Sequence, residues 1–448
     1  MSVHPMEYRY FTEEMKKVWE EESKLQSWLT VEAALAKANA KFGIIPESAA
    51  EEISKKANTK FVKLVRVKKI EEEIQHDLMA MVKALTEVCS GDAGKYVHIG
   101  ATSYDIEDTA YALQFRDTIK IIEKKLNELK NVLLKLAEKH KKTICIGRTH
   151  GQHAAPTTYG MKFALYAAEI QRHLDRIQES KKRLLIGKMT GAVGTQASFG
   201  KKGIELQKFV MKELGLEPVL ISTQVIQRDR YAEIIYDMAL IATTLEKIGK
   251  EIRNLQRTEI AEIFEPFKEK QVGSSTMPQK RNPHKSERIC GLARIVRSNV
   301  MPALEDIPLE HERDLTNSST ERIIFPETFI LIDYMLKEMI NILSGLEFNY
   351  DNMKKNLEKT KGLIMTENLM LGLVKKGIGR QDAHELLRQT SMRVIKENKN
   401  LKEILLKNDS IKKKFTEKEL DWYLDPKNYL GTAVQQVENT VKTLRGKS

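Results

Sequence analysis

The chain has 448 residues, 41% hydrophobic and 30% charged, with a formal charge of +12. That length asks for two or three hydrophobic cores, and no apolar run approaches the roughly 20 residues that cross a bilayer. Cys89, Cys145 and Cys290 lie far apart and form no CxxC pair, which argues against a disulfide framework and against a thiolate metal site.

The start, MSVHPMEYRYFTEE, lacks the apolar stretch of a secretory leader, so a cytoplasmic location is expected. The positive balance favours acidic small molecules or polyanions as partners. Most lysines sit among Glu and Asp, as on a solvated surface, and no basic stretch with interleaved aromatics points to nucleic acid.

In chain order, residues 1–101 read as shorter helices, from Trp19 to Phe42 and from Ile70 to Val88. A long helix is predicted from Asp105 to His140, with Leu126, Leu129, Leu133 and Leu136 on one stripe, and another starts near Pro156 with Phe163, Ile170, Leu174 and Ile177. Between Pro218 and Pro266 there is no proline, and Ile234, Met238, Ile241, Leu245, Ile248, Ile252 and Leu255 step alternately by four and three. That heptad seam predicts a helix of about 50 Å or more. A further helix opens at Asn282-Pro283, read as an Asn cap with Pro at the first helical position, and one more spans about Glu327 to Leu346. No alternating β pattern is visible. The expected fold is therefore all-α, in three helical domains: 1–101, a central long-helix bundle at 102–350, and a Lys-richer short-helical segment at 351–448. Stripes of this length leave apolar faces for neighbouring copies of the chain.

The run GKMTGAVGTQASFGKKG, Gly187 to Gly203, fails the phosphate-loop template in both its glycine spacing and its Lys-Lys step. HExxH and EF-hand patterns are absent, so no metal and no cofactor are implied. What remains are polar islands at helix ends: EIQHDL, HIGATSYD, GRTHGQ, GSSTMPQKRNPHKSE and HERDLTNSSTER. Taken singly, each has a plain structural reading. A His near a helix end caps it, Thr102-Ser103 caps the helix at Asp105, and Arg322 pairs on a solvated face. Together they supply hydroxyls, imidazoles, Lys and Arg without a nucleophile beside its base. That set suits binding an anion and moving protons better than covalent chemistry.

GSSTMPQKRNP resembles the signature loop of the fumarase/aspartase superfamily, whose members eliminate fumarate from succinyl-type substrates. Within it the chain resembles the adenylosuccinate lyase family through EYRYFTEEM, QHDLMA, HIGATSYDIEDTA, GRTHGQHAAPTTYGMKFAL, GAVGTQA, STQVIQRDR and HERDLTNSSTERIIFPE. One position departs: Gln75 stands where the family commonly has Arg. The resemblance implies small-molecule substrates (adenylosuccinate and SAICAR), with no membrane partner. It also implies a homotetramer on a twenty-helix core, with each site shared among three subunits. By the same resemblance Ser274 is the base and His150 the acid, with Glu287 as the imidazole's partner. His76 and Asp77 lie near the substrate's phosphate or succinyl end, and His98 matches a further family histidine. Thr102, Ser103, Ser275, Lys280 and Asn282 hold carboxylates. Arg9, Tyr10, Arg288, Arg313, Ser318 and Arg322 serve the nucleotide, and Arg281 and Gln224 are further substrate contacts. A serine is a workable base only in a dry, positive site, where Lys280, loop N–H groups and the N-terminus of the helix after Asn282 lower the cost of an alkoxide. The competing readings are a sibling lyase acting on argininosuccinate, a carboxymuconate cycloisomerase, and an inactive scaffold binding RNA through its charge.

Overall fold

The computed structural model describes residues 3–446. The chain is all-α with a few small strands, and its long helices are Ser103–Lys139, Tyr159–Leu184, Asp229–Leu255 and Thr316–Ser344. Among the described residues no helix is long and apolar enough to cross a membrane.

The heptad seam is real: Ile234, Met238, Ile241, Leu245, Ile248, Ile252 and Leu255 are all 3% exposed or less. Its helix is shorter than the spacing suggested. Its 27 residues make about 40 Å, because the absence of proline after Pro218 does not make the polar STQVIQ stretch helical. Of the two expected short helices, Trp19 to Phe42 is observed as Glu21–Lys41 and Ile70 to Val88 is broken in two. Glu20 separates Glu13–Trp19 from Glu21–Lys41. Gln75, left-handed at φ 54°, ends Leu64–Ile74, and His76 caps Asp77–Val88 by accepting from the Met79 N–H at 3.4 Å. The last long helix begins at Thr316 rather than near Glu327 and carries Pro326 within it. The island TNSSTER is thus the first turns of that helix.

The absence of β structure is also corrected. Ile144–Thr149 and Gln152–Thr158 form an antiparallel hairpin, and the following helix starts at Tyr159, past Pro156. A register shift between Ile146 and Arg148 breaks the alternation that would have announced these strands.

Two compact units emerge from the packing. The first comprises Met1–Leu126, Arg172–Leu245 and Gly291–Lys337, and the second Asn127–Gln171, Glu246–Cys290 and Glu338–Ser448. In the first, Leu29, Leu35, Ile53, Leu78, Met81 and Leu85 of the short helices bury with Ile106, Leu206 and Val210. An aromatic group forms beside them, with Trp19 stacked on Phe329 at 5.5 Å and Phe115 against Tyr231 and Phe325. In the second, Leu369, Leu373, Leu387, Leu401 and Leu420 make one core. A separate cluster there stacks His140 on Phe348 at 4.0 Å. Burial and the neighbouring Lys139 push the His140 imidazole down to about 4, so it packs as a neutral aromatic ring.

Candidate active site

In the first unit, the islands at residues 73–78, 98–105 and 311–322 converge on a cleft of about 390 Å³. The break at Gln75 brings His76 and Asp77 to its wall. Ser103 and Tyr104 enter from the first turn of their helix, and Arg313, Ser318 and Arg322 from the segment around Thr316. Arg322 forms an ion pair with Asp77 at 2.6 Å, lies 3.7 Å from Glu107, and donates from Nε to Ser318 Oγ at 3.3 Å. Burial opposes ionisation of Asp77, but Arg322 prevails and holds its carboxyl below the usual range. Arg313 lies 3.7 Å over the Tyr104 ring and donates to Gln224 Oε1 at 2.9 Å, while the Gln224 amide donates to the Ala192 carbonyl. Gln224 and the glycine-rich run are thereby tied to the same place.

Behind this wall lies a buried ionic frame, made of acids from the islands and motifs together with Arg228 and Lys188. The Arg228 guanidinium, 2% exposed, is clamped between Asp108 at 2.9 Å and Glu321 at 2.8 Å. Lys188 and Asp105 form a fully buried pair at 2.5 Å, and Asp105 also accepts from the N–H groups of Thr102, Thr190 and Gly191. A fully buried charge is tolerated only when paired. Here the pairing fixes the Thr102-Ser103 turn and the 190–191 backbone. The signal was available in sequence, because ATSYDIEDTA places acids in the first turns of a helix that is otherwise apolar there, and IQRDR sets an Arg just before the next long helix. His98 bonds Glu32 at 2.5 Å. Burial opposes its charge, yet Glu32 raises its pKa above the ordinary value. Arg9 is exposed, and Tyr10 packs on Tyr334 at 5.6 Å elsewhere in the unit.

In the second unit, residues 265–283 are irregular, as their composition predicts. Ser274 Oγ accepts from the N–H groups of Thr276 at 3.3 Å and Met277 at 3.1 Å. Lys280, Asn282 and Glu287 line a cleft of about 990 Å³ with Lys250, Arg253 and Arg257, cations that the islands did not include. Ser275 and Lys280 are exposed; Arg281 sits 5.1 Å over Phe267, and Arg288 lies 4.0 Å from Glu338.

The cap of the next helix differs from expectation. The helix starts at His284, Asn282 donates to the Gly273 carbonyl at 2.9 Å, and Glu265 accepts from the N–H groups of Lys285 and Ser286 at 3.3 and 2.5 Å. A carboxylate brought from twenty residues away in sequence therefore occupies that helix end. The end is not open to steady an alkoxide.

His150 is the first residue of the two-residue turn joining the strands, with φ 53° followed by Gly151 at 75°. Hairpin turns of this length favour positive φ, but it is uncommon for His and marks a position worth functional attention. The hairpin is anchored from behind by Glu262, fully buried, which accepts from Arg148 and Tyr159 at 2.5 Å each and from Asn356 at 2.8 Å. Among the described residues of one chain, no hydrogen bond or ion pair links His150 to Ser274 or to Glu287.

Comparison with known proteins places this arrangement. The family described as "Lyase" matches residues 6–298, and that described as "Adenylosuccinate lyase C-terminus" matches residues 362–440. The chain is 61% identical to adenylosuccinate lyase of Pyrococcus abyssi, covering 98% of both chains. It is 56% identical to that of Methanocaldococcus jannaschii, covering 100% of this chain and 97% of the relative. Among solved structures, 3-carboxy-cis,cis-muconate lactonizing enzyme from Pseudomonas putida superimposes with a TM-score of 0.91 at 33% identity, covering 99% of each chain.

Proposed function

Because this chain belongs to the adenylosuccinate lyase family, a family of lyases that break carbon–nitrogen bonds, we propose that it splits adenylosuccinate into AMP and fumarate, and SAICAR into AICAR and fumarate. The observation that carries the reading is how the islands sort. One set makes an arginine-lined cleft suited to a phosphate. The other pairs a serine loop with a lysine- and arginine-lined cleft suited to carboxylates.

In this reading Ser274 takes the proton from the succinyl Cβ, the electrons pass into the adjacent carboxylate, and the C–N bond breaks as His150 delivers a proton to the leaving nitrogen. The two backbone N–H groups aimed at Ser274 Oγ favour its anionic form, and Lys280 adds positive charge on the same loop. Lys280, Asn282, Ser275, Thr102 and Ser103 take the carboxylates. Arg313, Ser318 and Arg322 take the phosphate with His76, and Gln224 orients Arg313.

We further infer a homotetramer in the cytoplasm, with sites that draw on more than one chain, and we retain the sequence-based division at 101 and 350. Large apolar side chains left exposed on helices, among them Leu165 at 53%, Tyr236 at 54% and Ile323 at 64%, support the oligomer. Shared sites would also let His150 of one copy meet Ser274 of another over a single substrate.

The test is fumarate release from adenylosuccinate, run beside argininosuccinate and 3-carboxymuconate. Turnover of adenylosuccinate alone supports the reading. Turnover of the muconate alone would favour the cycloisomerase reading that the shared fold raises, and salt-sensitive RNA binding with no turnover would favour the scaffold.

A further inference from the structure

Glu107 lies one helical turn beyond Ser103, is 5% exposed, and faces the same cleft as Arg322, at 3.7 Å. No island or motif singled it out. It is the second carboxylate on a guanidinium that already has one, since Asp77 meets Arg322 at 2.6 Å. We propose that Glu107 is a positioning residue for the anionic end of the substrate: with Asp77 it holds Arg322, and it has to be uncharged before an anion can take Arg322 over. The proposal rests on the lyase reading, which makes that anion a phosphomonoester.

The surroundings of Glu107 set its charge. Its own helix presents Tyr104, Asp108 and Tyr111, and Asp108 is committed to Arg228. From the other elements come Asp77, Arg322, Arg313 and Lys24. Burial and the ionised Asp77 push the Glu107 carboxyl up to about 8, against the pull of Arg322. Near neutrality Arg322 is therefore balanced by one carboxylate, and the Glu107 acid has a proton to donate. Above pH 8 two carboxylates face one guanidinium, and the entering dianion has to displace both of them from Arg322. The Arg313 Nε, buried and without a hydrogen-bond partner among the described residues, is a second donor left for the same anion.

The probe is AMP, whose phosphate, with its second pKa near 6, stays a dianion from pH 7.5 upward. Its Kd is measured from pH 7 to 10 on wild type, Glu107→Gln and Glu107→Asp. For wild type and Glu107→Asp the Kd should rise above pH 8 by up to about tenfold per pH unit, the limit for one ionisation. For Glu107→Gln it should stay flat over that range. An equal rise in Glu107→Gln overturns the proposal and assigns the effect to another group such as Lys24, whose charge burial opposes. A flat wild-type profile overturns it too. Should Glu107→Gln not fold, calorimetry of the wild type at pH 8 in two buffers of different ionisation enthalpy decides. About half a proton should be taken up per AMP, as expected for a group at its pKa, and none per adenosine. Zero uptake with AMP overturns the proposal. Fumarate release at pH 7 by the same preparation tests the lyase reading separately: release with a flat AMP profile removes Glu107 alone, and proton-linked AMP binding without release removes the lyase reading alone.

Discussion

The arginine cleft of the first unit and the serine loop of the second hold their polar groups in opposite ways. In the first, Arg228, Arg313 and Arg322 each have a carboxylate or amide partner within the chain. Their geometry is set by ion pairs, several of them fully buried. In the second, the groups assigned to proton transfer have almost no side-chain partners. Among the described residues Ser274 is met by the backbone of its own loop, and His150 sits at the tip of a two-residue turn. What is rigid there lies behind them, where Glu262 anchors the hairpin and Glu265 caps the helix. The contrast separates two tasks. A binding group gains from being oriented before the ligand arrives, because less freedom is lost on association. A base or acid has to exchange its proton with the substrate, so it is held by backbone rather than locked into an ion pair.

The sharpest way to break this contrast is Ser274→Ala. Turnover should fall by roughly 10²- to 10⁴-fold with KM little changed, since binding rests on charged groups elsewhere; fumarate release measures both. Wild-type turnover in this variant would remove Ser274 as the base. A related mixture sharpens the point: inactive His150→Ala and Ser274→Ala chains, reassembled together, should regain part of the activity. No recovery in demonstrably mixed assemblies would mean that one chain supplies both groups.

The buried frame is tested by Arg228→Ala, which strands Asp108 and Glu321 without their cation. The cost should be about 3–5 kcal/mol, read as a lower Tm or denaturant midpoint, and a loss below about 1 kcal/mol would mean that the frame is solvated. For the cleft itself, Arg313→Ala removes a charged donor and should raise KM by roughly 10- to 100-fold, the range of one or two charge-assisted hydrogen bonds, with a smaller change in kcat. A fall confined to kcat would move Arg313 from the binding side of the comparison to the reacting side.

The smallest effect concerns stability and pH. Glu107 is raised to about 8, above the roughly 4.3 of an unfolded Glu. The native state therefore binds its proton more tightly, and its stability contribution is full below the unfolded value and lost as pH climbs to the folded one. Glu107→Gln should match the wild-type Tm at pH 4.5 and exceed it by pH 8, with the gap widening as pH rises between them. A Tm gap that does not change with pH would mean that Glu107 is ionised throughout.

Much of the fold was legible because burial is periodic. The steps from Ile234 to Leu255 could only be a helix face, and every member of that seam is buried. The loop at 273–283 was legible for the opposite reason, having no face to bury. The hairpin was not, because its bulge interrupts the alternation on which strand recognition depends. The cap of the helix at His284 was not, because local pattern offered Asn282 whereas the fold delivered Glu265.

The polar islands were determined by sequence alone, as local compositions that no core explains. Their grouping required the tertiary structure. Asp77, Glu107 and Arg322 are far apart along the chain, and a carboxylate next to a guanidinium behaves differently from one in water only at a few ångströms and out of solvent. Sequence order cannot encode that distance. The packing of the helices decides it, and with it which of two chemically similar acids keeps its proton.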